Sequence, residues 1–147
     1  MKKSMGGFTL IELIAVIVIL GLLSAFALPR FSGVEGQARA ASINGLAGSV
    51  RSAAALAHSL QIAQNLAANA SVTMEGNAVA MVNGYPTAGA GGIENSLSDT
   101  TGYTHTAGTG VYTIASAGTP ANCSVTYAAP AAANTQPTVT VVTTGCP

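Results

Sequence analysis

Hydrophobic and polar positions follow three successive patterns along the 147 residues. The first covers residues 8–28, FTLIELIAVIVILGLLSAFAL, where Glu12 is the only ionisable side chain. An apolar run without a polar side predicts a helix with no preferred outward face. At ~1.5 Å per residue it is about 31 Å long, enough to cross the hydrocarbon core of a bilayer. From Pro29 onward the pattern becomes one-sided. Ile43, Leu46, Val50, Ala53, Ala57 and Leu60 recur at spacings of three and four, while Arg39, Arg51, Ser52 and Ser59 fall largely off that stripe. Alanine carries helix propensity to about Ala63, and Asn65 and Asn69, the latter followed by Ser71, signal the end. The expectation is one helix from Phe8 to about Leu66. Pro29 should kink it, because proline lacks the N–H donor and crowds the carbonyl four residues back.

The third pattern is strand-like. SVTME and AVAMV around Gly76-Asn77 read as a β-hairpin. Asn83-Gly84-Tyr85-Pro86 and Gly89 to Gly92 mark turns, and GIENSLSD reads as a short helical piece. GVYTIAS, CSVTYA and PTVTVVTT supply three further strands. The fold class is therefore α+β: a long N-terminal helix, its apolar half protruding, packed against a C-terminal antiparallel sheet of about four or five short strands. The organisation is a basic leader over 1–7, an apolar helix half over 8–28, an amphipathic half over 29–66 and a β-rich head over 67–147.

Composition narrows the function. Charged residues make up 7% of the chain, the formal net charge is zero and there is no Trp. Neither a basic patch nor a base-stacking platform is present, so no nucleic-acid partner is expected. The two cysteines, Cys123 and Cys146, lack C-x-x-C spacing. In an exported protein they read as a disulfide closing a loop of about 24 residues, worth roughly 3 kcal/mol. In a cytosolic protein they would be two separate thiols.

Glu12 decides between three readings of the N-terminus. Lys2 and Lys3 place that end in the cytoplasm. A secretory signal would be cut after Ala25-Phe26-Ala27 and release a soluble binding protein. A permanent anchor would hold an external domain. Neither uses Glu12, whose carboxylate costs around 3 kcal/mol at the centre of a span. A cut between Gly7 and Phe8 does use it. The new α-amine is protonated near neutral pH, and a neighbouring chain offset along the helix axis would present its own amine to this carboxylate. The charge pair would then set register between identical helices.

The basic leader, then Gly7, Phe8, Thr9, Leu10, Ile11, Glu12, an unbroken apolar run and Pro29, together resemble the N-terminal signature of type IV pilins and related pseudopilins. The resemblance is dense over residues 6–31. It implies that a prepilin peptidase removes residues 1–7 and that the amine of Phe8 is methylated. It also assigns Glu12 to subunit register, and Gly21 and Pro29 to a segment that loses helical hydrogen bonds in filaments. The helix, connecting loop, sheet and C-terminal disulfide match the type IVa layout. The runs ALPRF and VAMVNGYPTA are similar to the mannose-sensitive haemagglutinin pilin subfamily. The implied partners are other copies of the chain in a helical filament, the prepilin peptidase, the pilus assembly machinery and minor pilins. The implied location is the inner membrane as precursor and the extracellular pilus once assembled. A pseudopilin of type II secretion is the alternative within the same class.

Other chemistry finds little support. Asp99, His105 and a serine formally supply a triad, but no nucleophile elbow or base–orienter spacing accompanies them. Glu94 and Asp99 are the only acids after Glu75, too few for a convincing calcium site. His58 lacks a second ligand at metal spacing. Asn69-Ala-Ser71 and Asn122-Cys-Ser124 are formal glycosylation sequons. The glycine-rich segments lack the P-loop order. The chain is expected to be a structural protein, neither an enzyme nor a cofactor or metal binder.

Overall fold

The computed structural model describes residues 8–147, all but 28–32 of them with their side chains. The leader 1–7, including Gly7, lies outside the described residues. Backbone contacts divide the chain into two compact units, the first ending at Glu35 and the second running from Gly36 to Pro147. One helix, α1 (Leu10–Ala63), supplies secondary structure to both.

In the first unit every described side chain from Phe8 to Ala27 is exposed. Among the large apolar ones even the least accessible, Val16 and Ile14, remain 45% and 46% exposed. This is the consequence of an apolar run with no polar side: among the described residues nothing covers it. Leu10–Ala27 is long and apolar enough to cross a membrane. Ser24, a polar residue in that stretch, bonds its hydroxyl to the Leu20 carbonyl 2.7 Å away, the usual way a helix satisfies an isolated serine.

In the second unit the stripe becomes the core. Ile43, Leu46, Val50, Ala53 and Ala57 are buried, with Ala47 and Ala54 beside them. Their small side chains let a sheet approach the helix closely. α1 closes earlier than expected, at Ala63, in a Schellman motif. Asn65 takes a left-handed φ of 52°, its N–H bonds the Ile62 carbonyl and the Leu66 N–H bonds the Gln61 carbonyl.

The strands form one larger sheet and two separate hairpins. β1 (Val72–Met74) pairs antiparallel with β2 (Asn77–Val79), and β3 (Met81–Val82) with β4 (Tyr85–Pro86). Then β5 (Thr104–Thr106), β6 (Val111–Thr113), β7 (Ser124–Ala128) and β8 (Thr138–Val142) make a four-stranded antiparallel sheet in chain order. The α+β class stands. Four details differ from expectation, one being that Tyr85–Pro86, read as part of a turn, forms strand β4. The first hairpin turns on Glu75-Gly76, with φ of 49° and 86°, so Asn77 already belongs to a strand. AVAMV is not one strand but two, interrupted at Ala80, whose N–H goes to Gly91 and whose carbonyl accepts from Thr87. β5 is an additional strand, since its residues Thr-His-Thr carry no apolar signal. GIENSLSD contributes a 3-10 turn at Ile93–Ser96.

Alternation along β7 places Val125 and Tyr127 in the core, together with Tyr112, Ile93 and Ile114 from neighbouring segments. Tyr127 donates its hydroxyl to the Pro86 carbonyl at 2.7 Å. A smaller cluster of Ala57, Val72, Met74, Val79 and Met81 sits under the β1–β2 hairpin. Gly110 is needed where it stands: its φ is 67°, and a Cβ there would lie 2.5 Å from the Tyr127 carbonyl oxygen. Polar side chains off the stripe tie helix to sheet, Arg39 to the Cys146 carbonyl at 3.0 Å and Arg51 to the Val139 carbonyl at 3.3 Å. Cys123 and Cys146 are bonded and fully buried, joining the start of β7 to the segment after β8.

Candidate functional site

The charged residue of the apolar run sits in the first turn of α1. Thr9 immediately precedes the helix, and the order Thr-x-x-Glu is that of a capping box. The geometry fits. Thr9 Oγ1 accepts from the Glu12 backbone N–H at 3.3 Å. Glu12 Oε2 in return accepts from the Thr9 N–H at 2.9 Å and from the Thr9 hydroxyl at 2.6 Å. One carboxylate oxygen is thus held by the helix start. Among the described residues no donor reaches the other, Oε1. The position also suits a negative charge, because the N-terminal end of a helix carries partial positive charge.

The cap has a sequence signal of its own, the Thr-x-x-Glu spacing, which a reading of Glu12 as an unwanted charge in lipid overlooks. Both uses of the residue are compatible. Capping fixes where the carboxylate points and satisfies one oxygen. It supplies no counter-charge.

The other anticipated residues are distributed along the chain. Phe8, 80% exposed, lies just before the helix. Gly21 lies within α1, and a Cβ added there would meet nothing within 4 Å. Among the described residues no neighbour therefore requires a glycine at that position. The helical assignment also continues through Pro29, although its lack of an N–H leaves the Ala25 carbonyl without the usual helical donor.

In the head, the formal triad residues are otherwise occupied. His105 Nε2 lies 2.9 Å from Glu94 Oε2, and its ring stacks on Tyr112 with centroids 4.8 Å apart. Glu94 Oε1 accepts from the Gly91 N–H at 2.6 Å. Asp99 accepts from the Thr101 N–H at 2.7 Å, a local turn that lowers its carboxyl pKa. Both acids considered for calcium are thus already engaged, and among the described residues no group of three His, Cys, Asp or Glu side chains is placed to hold a metal ion.

Residues 2–28 match the family described as the Prokaryotic N-terminal methylation motif, the type IV pilin signal. Over 51 residues, 35% of this chain, the sequence is 55% identical to the type IV narrow pilus major component PilA5 of Thermus thermophilus. That match spans 44% of the relative's length, less than half of it. No solved structure matches the chain.

Proposed function

We propose that this chain is the structural subunit of a type IV pilus, working by polymerisation and without a reaction of its own. The observation that carries the proposal is the pairing of an apolar helix exposed on every side with one half-satisfied carboxylate at its start. The similarity to a pilus major component supports it.

In this reading the precursor is held in the inner membrane by Leu10–Ala27. A prepilin peptidase cuts after Gly7, and the amine of Phe8 is methylated. The cut creates a cation at the end of the same apolar segment. Glu12 Oε2 stays with Thr9, and Oε1 receives the amine of a neighbouring subunit displaced along the filament axis. In apolar surroundings this attraction is strong and available at one offset only, so it selects register. The remaining apolar surface transfers from lipid to the helices of neighbours. Gly21 gives a neighbouring helix room to approach. The region of Gly21 to Pro29, weakened by the missing donor, loosens as subunits pack. Each contact is head-to-tail and does not close on itself, so the product is an open filament. The assembly machinery and minor pilins act on this subunit. The heads carry the outer surface of the fibre, and adhesion or a related surface task resides there.

Glu12→Gln tests the register step more cleanly than removal of the side chain. Glutamine also serves in a capping box, so the helix start is kept while the charge is lost. The expectation is normal membrane insertion and leader cleavage with filament yield reduced by about tenfold or more, equivalent to ~1.4 kcal/mol or more per contact. Electron microscopy of sheared filaments and blotting of the membrane pool read the two steps apart. Abundant filaments of normal appearance from Glu12→Gln subunits contradict the proposal.

A further inference from the structure

β5 and β8 are the outer strands of the four-stranded sheet, and among the described residues no strand pairs with their free sides. Which backbone groups face outward follows from the pairing. Antiparallel neighbours alternate between residue pairs that exchange both backbone bonds and pairs that exchange none. The Tyr127 N–H bonds the Gly110 carbonyl, on the side of β7 away from β8. Tyr127–Val139 is therefore a non-bonded pair, and so, two residues along, is Val125–Val141. Val139 and Val141 thus turn their N–H and carbonyl groups out of the sheet. Arg51 donates to the Val139 carbonyl at 3.3 Å. Among the described residues nothing bonds the Val139 N–H or either group of Val141.

The same alternation acts at the other edge. The Ile114 N–H bonds the Cys123 carbonyl, so Tyr112, two residues earlier, also directs its backbone to β7. Its partner on β5, His105, turns its backbone outward. Proteins that keep an edge unpaired blunt it with charged residues, proline or a bulge. β8 reads Thr-Val-Thr-Val-Val in unbroken register and has none of these within it. Its β-branched residues favour extended backbone. Such an edge accepts a further strand by main-chain hydrogen bonds.

From these edges we propose that β8 of one subunit receives β5 of the next, so that the sheet continues from head to head. This rests on the filament reading above and names how the heads of that fibre meet. Strand direction selects this occupant. Successive strands from β5 to β8 are antiparallel, so the two outer strands run in opposite directions. Copies that share one orientation in a polar fibre therefore meet antiparallel without inversion. Two β8 strands could meet antiparallel only across a two-fold axis, which closes a dimer and sets Arg51 against Arg51. Charge agrees with direction. Arg51 stands beside β8, whereas the exposed Asp99 lies in the turn that leads into β5. Joining β8 to β5 brings opposite charges to one junction. A bonded pairing sets His105 opposite Val139 or Val141. Either register places the exposed Thr140 opposite Thr104 or Thr106 of the neighbour, both of them exposed in the single chain.

The test compares filaments sheared from cells with the detergent-solubilised full-length chain. Hydrogen exchange of the unmodified protein, resolved by residue with NMR, should slow about tenfold or more at the Val141 and His105 amides on assembly. Cross-linking gives a second readout. Thr140→Cys is combined with Thr104→Cys in one variant and with Thr106→Cys in another. Within one chain these positions lie three strand spacings apart, about 14 Å, too far for a disulfide. Mild oxidation of filaments should link subunits of one double variant into a ladder on non-reducing gels, and Thr140→Cys alone should give no ladder. Filaments in which Val141 exchanges as fast as in the solubilised chain overturn this proposal and leave the assembly mechanism standing. Protection of Val141 without a ladder from either double variant would put a different strand on the edge and overturn it as well. If the chain forms no filaments, the function proposed above fails and this contact with it.

Discussion

Leu10–Ala27 and Ile43–Leu60 are stretches of one helix, similar in length and both dominated by apolar residues. The difference between them is placement. In the first, leucines, isoleucines and valines cover the whole circumference, and all of them remain exposed. In the second, most apolar residues occupy one stripe, largely as alanine, and the strands of the head cover it, while Leu56 beside it stays exposed. Helix formation is served equally by both. What the pattern decides is whether the partner surface lies within the chain or outside it. The all-round stretch has to be completed by lipid or by other helices. The one-sided stretch is completed by its own C-terminal strands.

The sharpest way to break this comparison is to put one substitution into both stretches. Val50 is fully buried and Val18 is 54% exposed. Val50→Asp places an unpaired charge under the sheet and should cost more than about 4 kcal/mol, enough to unfold the head. Val18→Asp should leave the head's melting temperature unchanged and instead reduce retention in membranes. Thermal melts by circular dichroism and alkaline extraction of membranes read the two effects. Equal head destabilisation by both variants would erase the distinction.

Next in size is the disulfide. Cys123→Ser releases a closed loop of 23-residue separation and should lower head stability by about 3 kcal/mol, with leader cleavage unaffected. An unchanged melting temperature under oxidising conditions would count against a stabilising role.

A smaller effect separates the two buried tyrosines. Burial holds Tyr127 in its protonated form well above the usual range and, with Glu94 nearby, pushes Tyr112 up to about 12. A folded-state pKa raised above the unfolded value of 10.0 means that unfolding releases protons between those values. Stability is therefore full below pH 10 and falls as pH rises towards 12, by roughly 1.4 kcal/mol per pH unit for each ring. At neutral pH the two differ. Tyr127→Phe strands the Pro86 carbonyl and should cost about 1–2 kcal/mol. The Tyr112 hydroxyl is buried with no hydrogen-bond partner, so Tyr112→Phe should be neutral or slightly stabilising. Denaturant unfolding across a pH series checks both statements.

Much of the fold is legible in the sequence because it rests on periodicity. The stripe from Ile43 to Leu60 and strands β6, β7 and β8 each carry an apolar rhythm that local chemistry reveals. β5 carries none: Thr104, His105 and Thr106 become a strand only through pairing with Val111–Thr113. The break in AVAMV at Ala80 is likewise set from outside, by bonds to Gly91 and Thr87. The Thr9–Glu12 cap is available as a motif and is obscured by the more conspicuous question of charge in lipid.

Assembly as proposed depends on Glu12 gaining a cationic partner at the end of its own apolar segment, and the N-terminus of the mature chain tests that most directly. Intact mass and N-terminal sequencing of protein recovered from the cell surface should give a chain beginning at N-methylated Phe8. A chain beginning at Leu28 would mean that the apolar helix had been discarded, and the assembly mechanism with it.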